Sequence, residues 1–248
     1  MEEIDRQAQR WDKWAPHYDA LSTGRNPRHD AGRLRELAPP GPALELGCGT
    51  GLVSVELAQL GTDVTGLDAS PKMVEAFNAK ADALPARSLV GDMTRIDLNR
   101  RFALIFVVAS TLFTLTTQED QVACFKAAAR HLEPGGMFAV EAHVSDWEPG
   151  QFQGTSVREI GEDHVRWSAM QHDPVTQTVR SQEVLTTPQG MTMLPLVTRY
   201  AWPSELDLMA RLSGMRCQAR YGDWQGGPFK ADSVRHLTLY TLDSSDDR

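Results

Sequence analysis

The sequence predicts an α/β protein, a doubly wound sheet of seven mostly parallel strands with an inserted antiparallel β segment. Three observations lead there. The apolar run Leu44-Glu45-Leu46 enters the glycine-rich turn Gly47-Cys48-Gly49-Thr50-Gly51 and opens onto a helical pattern from Leu52 to Leu60. Strand and helix signals alternate from Ala43 to Ala142, the pattern of a parallel sheet covered by helices. After His143 the period becomes strict two-residue alternation. A chain of 248 residues, 41% hydrophobic and 23% charged, can bury one substantial core, so the expectation is one domain with an insertion. The expected division is a helical segment over 1–36, a core over 37–145 and 203–248, and the insertion over 146–202.

In chain order, Ile4, Ala8, Trp11 and Ala15 recur at helical spacing, which predicts an amphipathic helix over Glu2–Trp14 stopped by Pro16. The next residues, Pro16 to Leu21, show no regular period. Five strands follow the pair Pro39-Pro40: Ala43–Leu46, Asp63–Leu67, Arg87–Val90, Ala103–Ala109 and Met137–Ala142. Ser70-Pro71 supplies an N-cap and a proline at the first helical position, and Thr117 precedes Glu119 and Asp120 in a helix reaching His131. The run Leu132-Glu133-Pro134-Gly135-Gly136 ends that helix. In the insertion, three antiparallel strands are expected over His164–Met170, Thr178–Leu185 and Met191–Ala201, with turns at Asp173-Pro174 and Pro188-Gln189-Gly190. Ser204 is the expected cap of a helix over Glu205–Leu212, and strands Met215–Tyr221 and His236–Leu242 return to the main sheet. The polar tail from Asp243 to Arg248 reads as frayed.

Composition excludes several roles. With 25 Lys and Arg against 33 Asp and Glu, the net charge is -8, and no basic cluster offers the face that nucleic acid requires. Cys48, Cys124 and Cys217 are odd in number and widely spaced, without a C-x-x-C, so they read as free thiols in a reducing cytoplasm. The amino terminus lacks the features of a signal peptide, and no apolar run is long enough to span a bilayer. Nothing has the spacing of a metal site.

The glycine turn is the strongest local signal. A dinucleotide fingerprint reads G-x-G-x-x-G/A, and Leu52 stands where its third small residue belongs, which argues against a NAD-dependent oxidoreductase. The spacing here is G-x-G-x-G, with Glu45 two residues ahead. Together with Asp68, Gly91-Asp92-Met93, Phe102 to Ala109 and Leu132-Glu133-Pro134-Gly135-Gly136, the chain resembles the class I S-adenosylmethionine (SAM) methyltransferases, whose fold is Rossmann-like. Ala103 departs from the pattern, since many relatives carry aspartate there. The segments Trp14 to Leu21 and Tyr221-Gly222-Asp223-Trp224 are similar to bacterial small-molecule tailoring methyltransferases, including amino-sugar N-methyltransferases of secondary metabolism.

That resemblance implies SAM as cofactor, S-adenosylhomocysteine as product, and a site at the carboxyl ends of the strands. Glu45 would hold the amino group of the methionine portion. Asp68, 17 residues past Gly51, would accept the ribose hydroxyls, although an aspartate at a strand end, taken alone, is more often a turn or cap residue. Asp92 and Met93 would meet the adenine, and Ala109 and Ser110 would lie beside the sulfonium. Gly47, Cys48, Gly49, Gly51, Ala69 and Met73 complete the expected cofactor set. Tyr18 would close the pocket and bond the cofactor carboxylate, with Trp11 and Trp14 as lid hydrophobes; plain core packing is the alternative for both, and the more so for Trp11.

Methyl transfer is an in-line displacement that gains most from alignment. His143, following the fifth strand with Glu141 on the same face, is the candidate base, alongside a purely structural reading. His164, Arg166 and His172 are possible substrate contacts in the insertion, where Trp167 and Met170 fall on opposite faces. The expected activity is methylation of nitrogen or oxygen in a small metabolite. The alternatives are carbon methylation, another SAM-dependent reaction or a binding module with a relic pocket. Dimerisation through the edges of the inserted sheet is a further expectation.

Overall fold

A computed structural model describes residues 2–22, 24–144 and 153–243, with side chains from residue 6 onward. The side chain of Ile4, the boundary expected at 145/146 and the tail beyond residue 243 lie outside the described residues. The amino-terminal helices are α1 (Glu2–Trp14), α2 (Tyr18–Leu21) and α3 (Pro27–Leu37). There follow β1 (Ala43–Leu46), α4 (Leu52–Gln59), β2 (Val64–Asp68), α5 (Pro71–Lys80), β3 (Ala86–Val90), β4 (Phe102–Val107), α6 (Gln118–His131) and β5 (Leu132–His143). The insertion holds β6 (Gly154–Ile160), β7 (Val165–Asp173), β8 (Thr178–Thr187) and β9 (Gly190–Arg199), and α7 (Pro203–Arg211), β10 (Met215–Tyr221) and β11 (Arg235–Leu242) close the chain.

The main sheet has the order β10-β11-β5-β4-β1-β2-β3. Its first five strands in sequence are parallel, and β11 runs antiparallel between β5 and β10. This is the seven-stranded, mostly parallel sheet expected from sequence. Strand β4 shows why it forms. All six of its residues are buried, as a strand covered on both faces requires. Leu104 and Phe106 pack with Leu34, Val53 and Leu57 under α3 and α4, while Ile105 and Val107 pack with Phe125, Phe138 and Met209 under α6 and α7. Each such side chain contributes roughly 1.5–3 kcal/mol by leaving water.

Helix starts follow local chemistry. Ser70 Oγ accepts the Met73 N–H at 3.1 Å, and Thr117 Oγ1 accepts the Asp120 N–H at 3.1 Å, as the sequence implied. The expectation that Ser204 caps α7 is corrected. Trp202 is the N-cap, Pro203 takes the first position, and the Glu205 carboxylate accepts the Trp202 N–H at 2.9 Å. Helices α2 and α3 lack a readable period, yet α3 begins with Asn26-Pro27, the same cap-and-proline signal as Ser70-Pro71; Asn26 Oδ1 accepts the His29 N–H at 3.1 Å. Strand β5 starts five residues earlier than expected, pairing Leu132 with Phe102 before a register shift.

The inserted sheet has four antiparallel strands, β6-β7-β8-β9, rather than three. Every residue of β6 is exposed, so the strand carries no apolar alternation for a sequence reading to find. Register places Trp167 opposite Val157 and Val184, and Met170 opposite Gly154 and Ser181, on opposite faces as expected. Arg199, at the end of β9, fixes this sheet to the core. Its guanidinium donates to Gln121 Oε1 on α6 at 2.7 Å, to Gln177 Oε1 at 2.9 Å and to Glu205 Oε1 on α7 at 3.1 Å. Trp14 Nε1–H donates to the Pro195 carbonyl at 3.1 Å, so α1 is also tied to β9.

Candidate active site

Strand β1 lies between β2 and β4, the switch point at which an open α/β sheet binds ligands at its carboxyl ends. A cavity of about 610 Å³, counting its open mouth, lies there. Its floor is the turn after β1. Gly47 and Gly49 have φ values of +64° and +53°, which favour glycine. A Cβ on Gly47 would lie 2.2 Å from Thr111 Cγ2, and one on Gly49 would face the Tyr18 ring at 3.5 Å, so the narrow space above the turn exists because side chains are missing.

Asp68 locks the turn. Its Oδ2 accepts the Gly49 N–H at 2.8 Å and its Oδ1 accepts the Ser70 N–H at 2.9 Å. A carboxylate has about four acceptor positions, so these two bonds do not exhaust it. Burial raises its pKa, opposed by the amides of Ser70, Gly49 and Ala69. Asp92 has a comparable local anchor, accepting the Thr94 N–H at 2.8 Å. Tyr18 covers the opposite side, edge-on to Trp11 at a centroid distance of 6.1 Å. Burial and the Glu45 charge raise its pKa, so its hydroxyl keeps its proton and can donate.

Of the residues expected from sequence, Tyr18, Gly47, Gly49, Asp68, Ala69, Met73, Asp92 and Met93 line this cavity. Four others stand behind it. Glu45 is buried and accepts Ser54 Oγ–H at 2.5 Å; burial pushes its pKa up to about 8, partly offset by Ser54. Cys48 packs against Gly66, and burial raises its thiol pKa well above the ordinary value. Gly51 starts α4 against Phe77. Ala109, with φ +58°, donates its N–H to Glu141 Oε2 at 2.6 Å.

The expected order of the two tryptophans is reversed. Trp14 is the core residue, packed with Met73 and Leu194, and Trp11 lines the cavity. Sequence reasoning also missed Gln7, Thr111, Thr114 and Leu115 on the cavity wall. Gln7 Nε2–H donates to the Thr114 carbonyl, which ties α1 across the mouth. Helical spacing marks the apolar stripe of α1 but carries no information about which element that stripe covers.

His143 stands at the end of β5. Ser110 Oγ accepts its main-chain N–H at 2.9 Å and lies 2.9 Å from its Nδ1, and Phe113 meets the ring edge-on at 5.2 Å. Partial burial lowers its pKa, opposed by the Glu141 charge and reinforced by Arg235. In the insertion, His164 and Arg166 both contact Glu159 at 3.4 Å, while His172 lines an open cleft shared with Arg6, Arg10, Thr116 and Arg180.

The donor set and the glycine cradle fit an adenosyl cofactor. Leu67, Met73 and Met93 offer apolar cover, Asp68 and Asp92 offer acceptors, and Tyr18 offers a donor. Fold and cavity thus define an α/β protein that binds such a cofactor at its switch point. A family model described as a methyltransferase domain matches residues 43–136. The CcbJ methyltransferase from Streptomyces caelestis is similar in structure, with a TM-score of 0.88 and 32% identity over 96% of this chain and 99% of that one. The cypemycin N-terminal methyltransferase of a Streptomyces species is 28% identical over 79% of this chain and 81% of its own. The dTDP-3-amino-3,4,6-trideoxy-alpha-D-glucopyranose N,N-dimethyltransferase of Streptomyces venezuelae is 33% identical over 44% of each chain. The chain belongs to the class I SAM-dependent methyltransferases, and it is a methyl-transferring enzyme that uses SAM.

Proposed function

We propose that the enzyme methylates an amine nitrogen on a small metabolite or short peptide of secondary metabolism, with His143 as the proton acceptor. SAM supplies an electrophilic methyl group. Tyr18, Gly47, Gly49, Asp68, Asp92 and Met93 hold the cofactor, and Tyr18 with Trp11 keeps water from it. The observation that carries the reading is the His143–Ser110 pair at the end of β5. An amine reacts through its lone pair, so a protonated acceptor must first lose a proton. His143 has a lowered pKa and is neutral at pH 7. With Nδ1–H donating to Ser110 Oγ, its Nε2 lone pair is left to take that proton. Two of the relatives act, by their names, on an amino sugar and at a peptide N-terminus, which supports nitrogen over oxygen.

The test is S-adenosylhomocysteine release in equal amount to methylated product, with an amino-deoxysugar nucleotide and a free-N-terminus peptide as acceptors. His143→Gln should lower kcat by about a hundredfold, as loss of a general base does. Full activity in that variant, or methylation of hydroxyl-only acceptors, would overturn the proposal. We also propose a cytoplasmic enzyme, supported by three free cysteines, and a homodimer through the inserted sheet. The support for the dimer is β6, a fully exposed strand with no neighbour on its outer side among the described residues. Sedimentation showing only monomer at micromolar concentration would exclude it.

A further inference from the structure

Glu141 is buried on β5, next to the site yet off the cavity wall. Its carboxylate accepts the Ala109 N–H at 2.6 Å and contacts Arg25 Nη1 at 3.3 Å and Arg235 Nη1 at 3.5 Å. Its main-chain carbonyl accepts the Ser110 N–H at 3.2 Å. One residue therefore holds both members of a corner in which Ala109 and Ser110 each have φ +58°. Non-glycine residues persist in that region only where neighbours over-determine them. Ser110 in turn holds His143. Arg25 comes from the connection between α2 and α3, on the amino-terminal segment that covers the cofactor cavity, and it also pairs with Asp30 at 3.1 Å.

We propose that Glu141 is a positioning residue that reports the seating of the amino-terminal segment to His143. With Arg25 in place, the Glu141 charge is balanced and the Ala109–Ser110 corner is fixed. With Arg25 withdrawn, Glu141 keeps Arg235 as its cation, and its negative charge acts on His143, favouring the protonated imidazole. Closure of the segment thus favours a neutral histidine that can take the acceptor's proton, and that proton passes from His143 to solvent before the next transfer. Among the described residues, the charged and titratable groups around His143 are Glu141 on its own strand and Arg235 and His236 on β11; burial drives the His236 pKa down to about 3, so it stays neutral across the working range.

This rests on the reading of His143 as proton acceptor, but its test needs no acceptor. Histidine-labelled protein saturated with S-adenosylhomocysteine is titrated by NMR, and the His143 signal is assigned by its loss in His143→Gln. Arg25→Met should raise the His143 protonation constant about threefold or more, and Glu141→Gln should lower it. The double variant should titrate like Glu141→Gln, and Arg25→Lys should restore wild-type behaviour. An unmoved titration in Glu141→Gln, or an equal rise from Arg25→Met in the Glu141→Gln background, would overturn the proposal. Failure of His143 as a base would appear instead as full turnover by His143→Gln with these shifts intact.

Discussion

Asp68→Asn is the sharpest probe of the cofactor site. The wild-type carboxylate accepts two buried amide protons, from Gly49 at 2.8 Å and Ser70 at 2.9 Å, while the residue lines the cavity. Asparagine has the same shape but one acceptor oxygen. It can satisfy one of the two amides, and its NH2 group opposes the other. An unsatisfied buried donor costs about 1–3 kcal/mol, and each hydrogen bond lost from a charged acceptor costs about 1.5–3 kcal/mol. The amide penalty is common to the free and bound forms and lowers Tm, whereas the bond to the ligand that is lost should weaken cofactor binding by about 1.5–3 kcal/mol, about 10- to 150-fold in Kd. Calorimetric titration of S-adenosylhomocysteine into wild type and variant measures this, with thermal unfolding run in parallel. A Kd within about threefold of wild type, accompanied by a lowered Tm, would show that Asp68 only pins the turn, and the assignment of its free lone pairs to the ligand would fail.

Two further outcomes concern stability. Glu45 holds its proton more tightly when folded, up to about 8 against 4.5, so its contribution to stability falls as pH rises through that window. Glu45→Gln should therefore unfold like wild type near pH 5 and at a higher temperature than wild type at pH 8.5; equal Tm values at both would contradict the buried, protonated carboxyl. Arg199→Met should cost about 2–4 kcal/mol in urea unfolding, because it leaves Gln121, Gln177 and Glu205 without their shared donor. A loss below about 1 kcal/mol would mean that the inserted sheet is held by apolar packing instead.

The parallel core was legible because its strands are buried on both faces and its turn needs glycines, two demands that leave local marks. Asp68, Asp92 and Met93 were legible for a related reason, since strand ends in this topology converge on one place. What escaped was decided by contacts distant in sequence. Glu45 was marked by its place ahead of the glycine turn, but that Ser54 would donate to its carboxyl carried no local sign. Trp11 and Trp14 share the apolar stripe of α1, and only the packing of Met73 and Leu194 onto Trp14 separates their fates. Strand β6 escaped because exposure on both faces erases alternation, and Arg25 because an arginine in a connection carries no local sign of a buried carboxylate 116 residues away.

Among the described residues, every one on the wall of the cofactor cavity lies between Gln7 and Leu115. The inserted sheet leaves the core after β5, returns at α7, and contributes nothing to that wall. Inheritance of the two halves is therefore separable. Exchange of the segment between β5 and α7 for that of a relative removes no residue from this wall, but the incoming piece must bring an arginine to Gln121, an indole-accepting carbonyl to Trp14 and the apolar backing that Leu194 gives Trp14 and Met73.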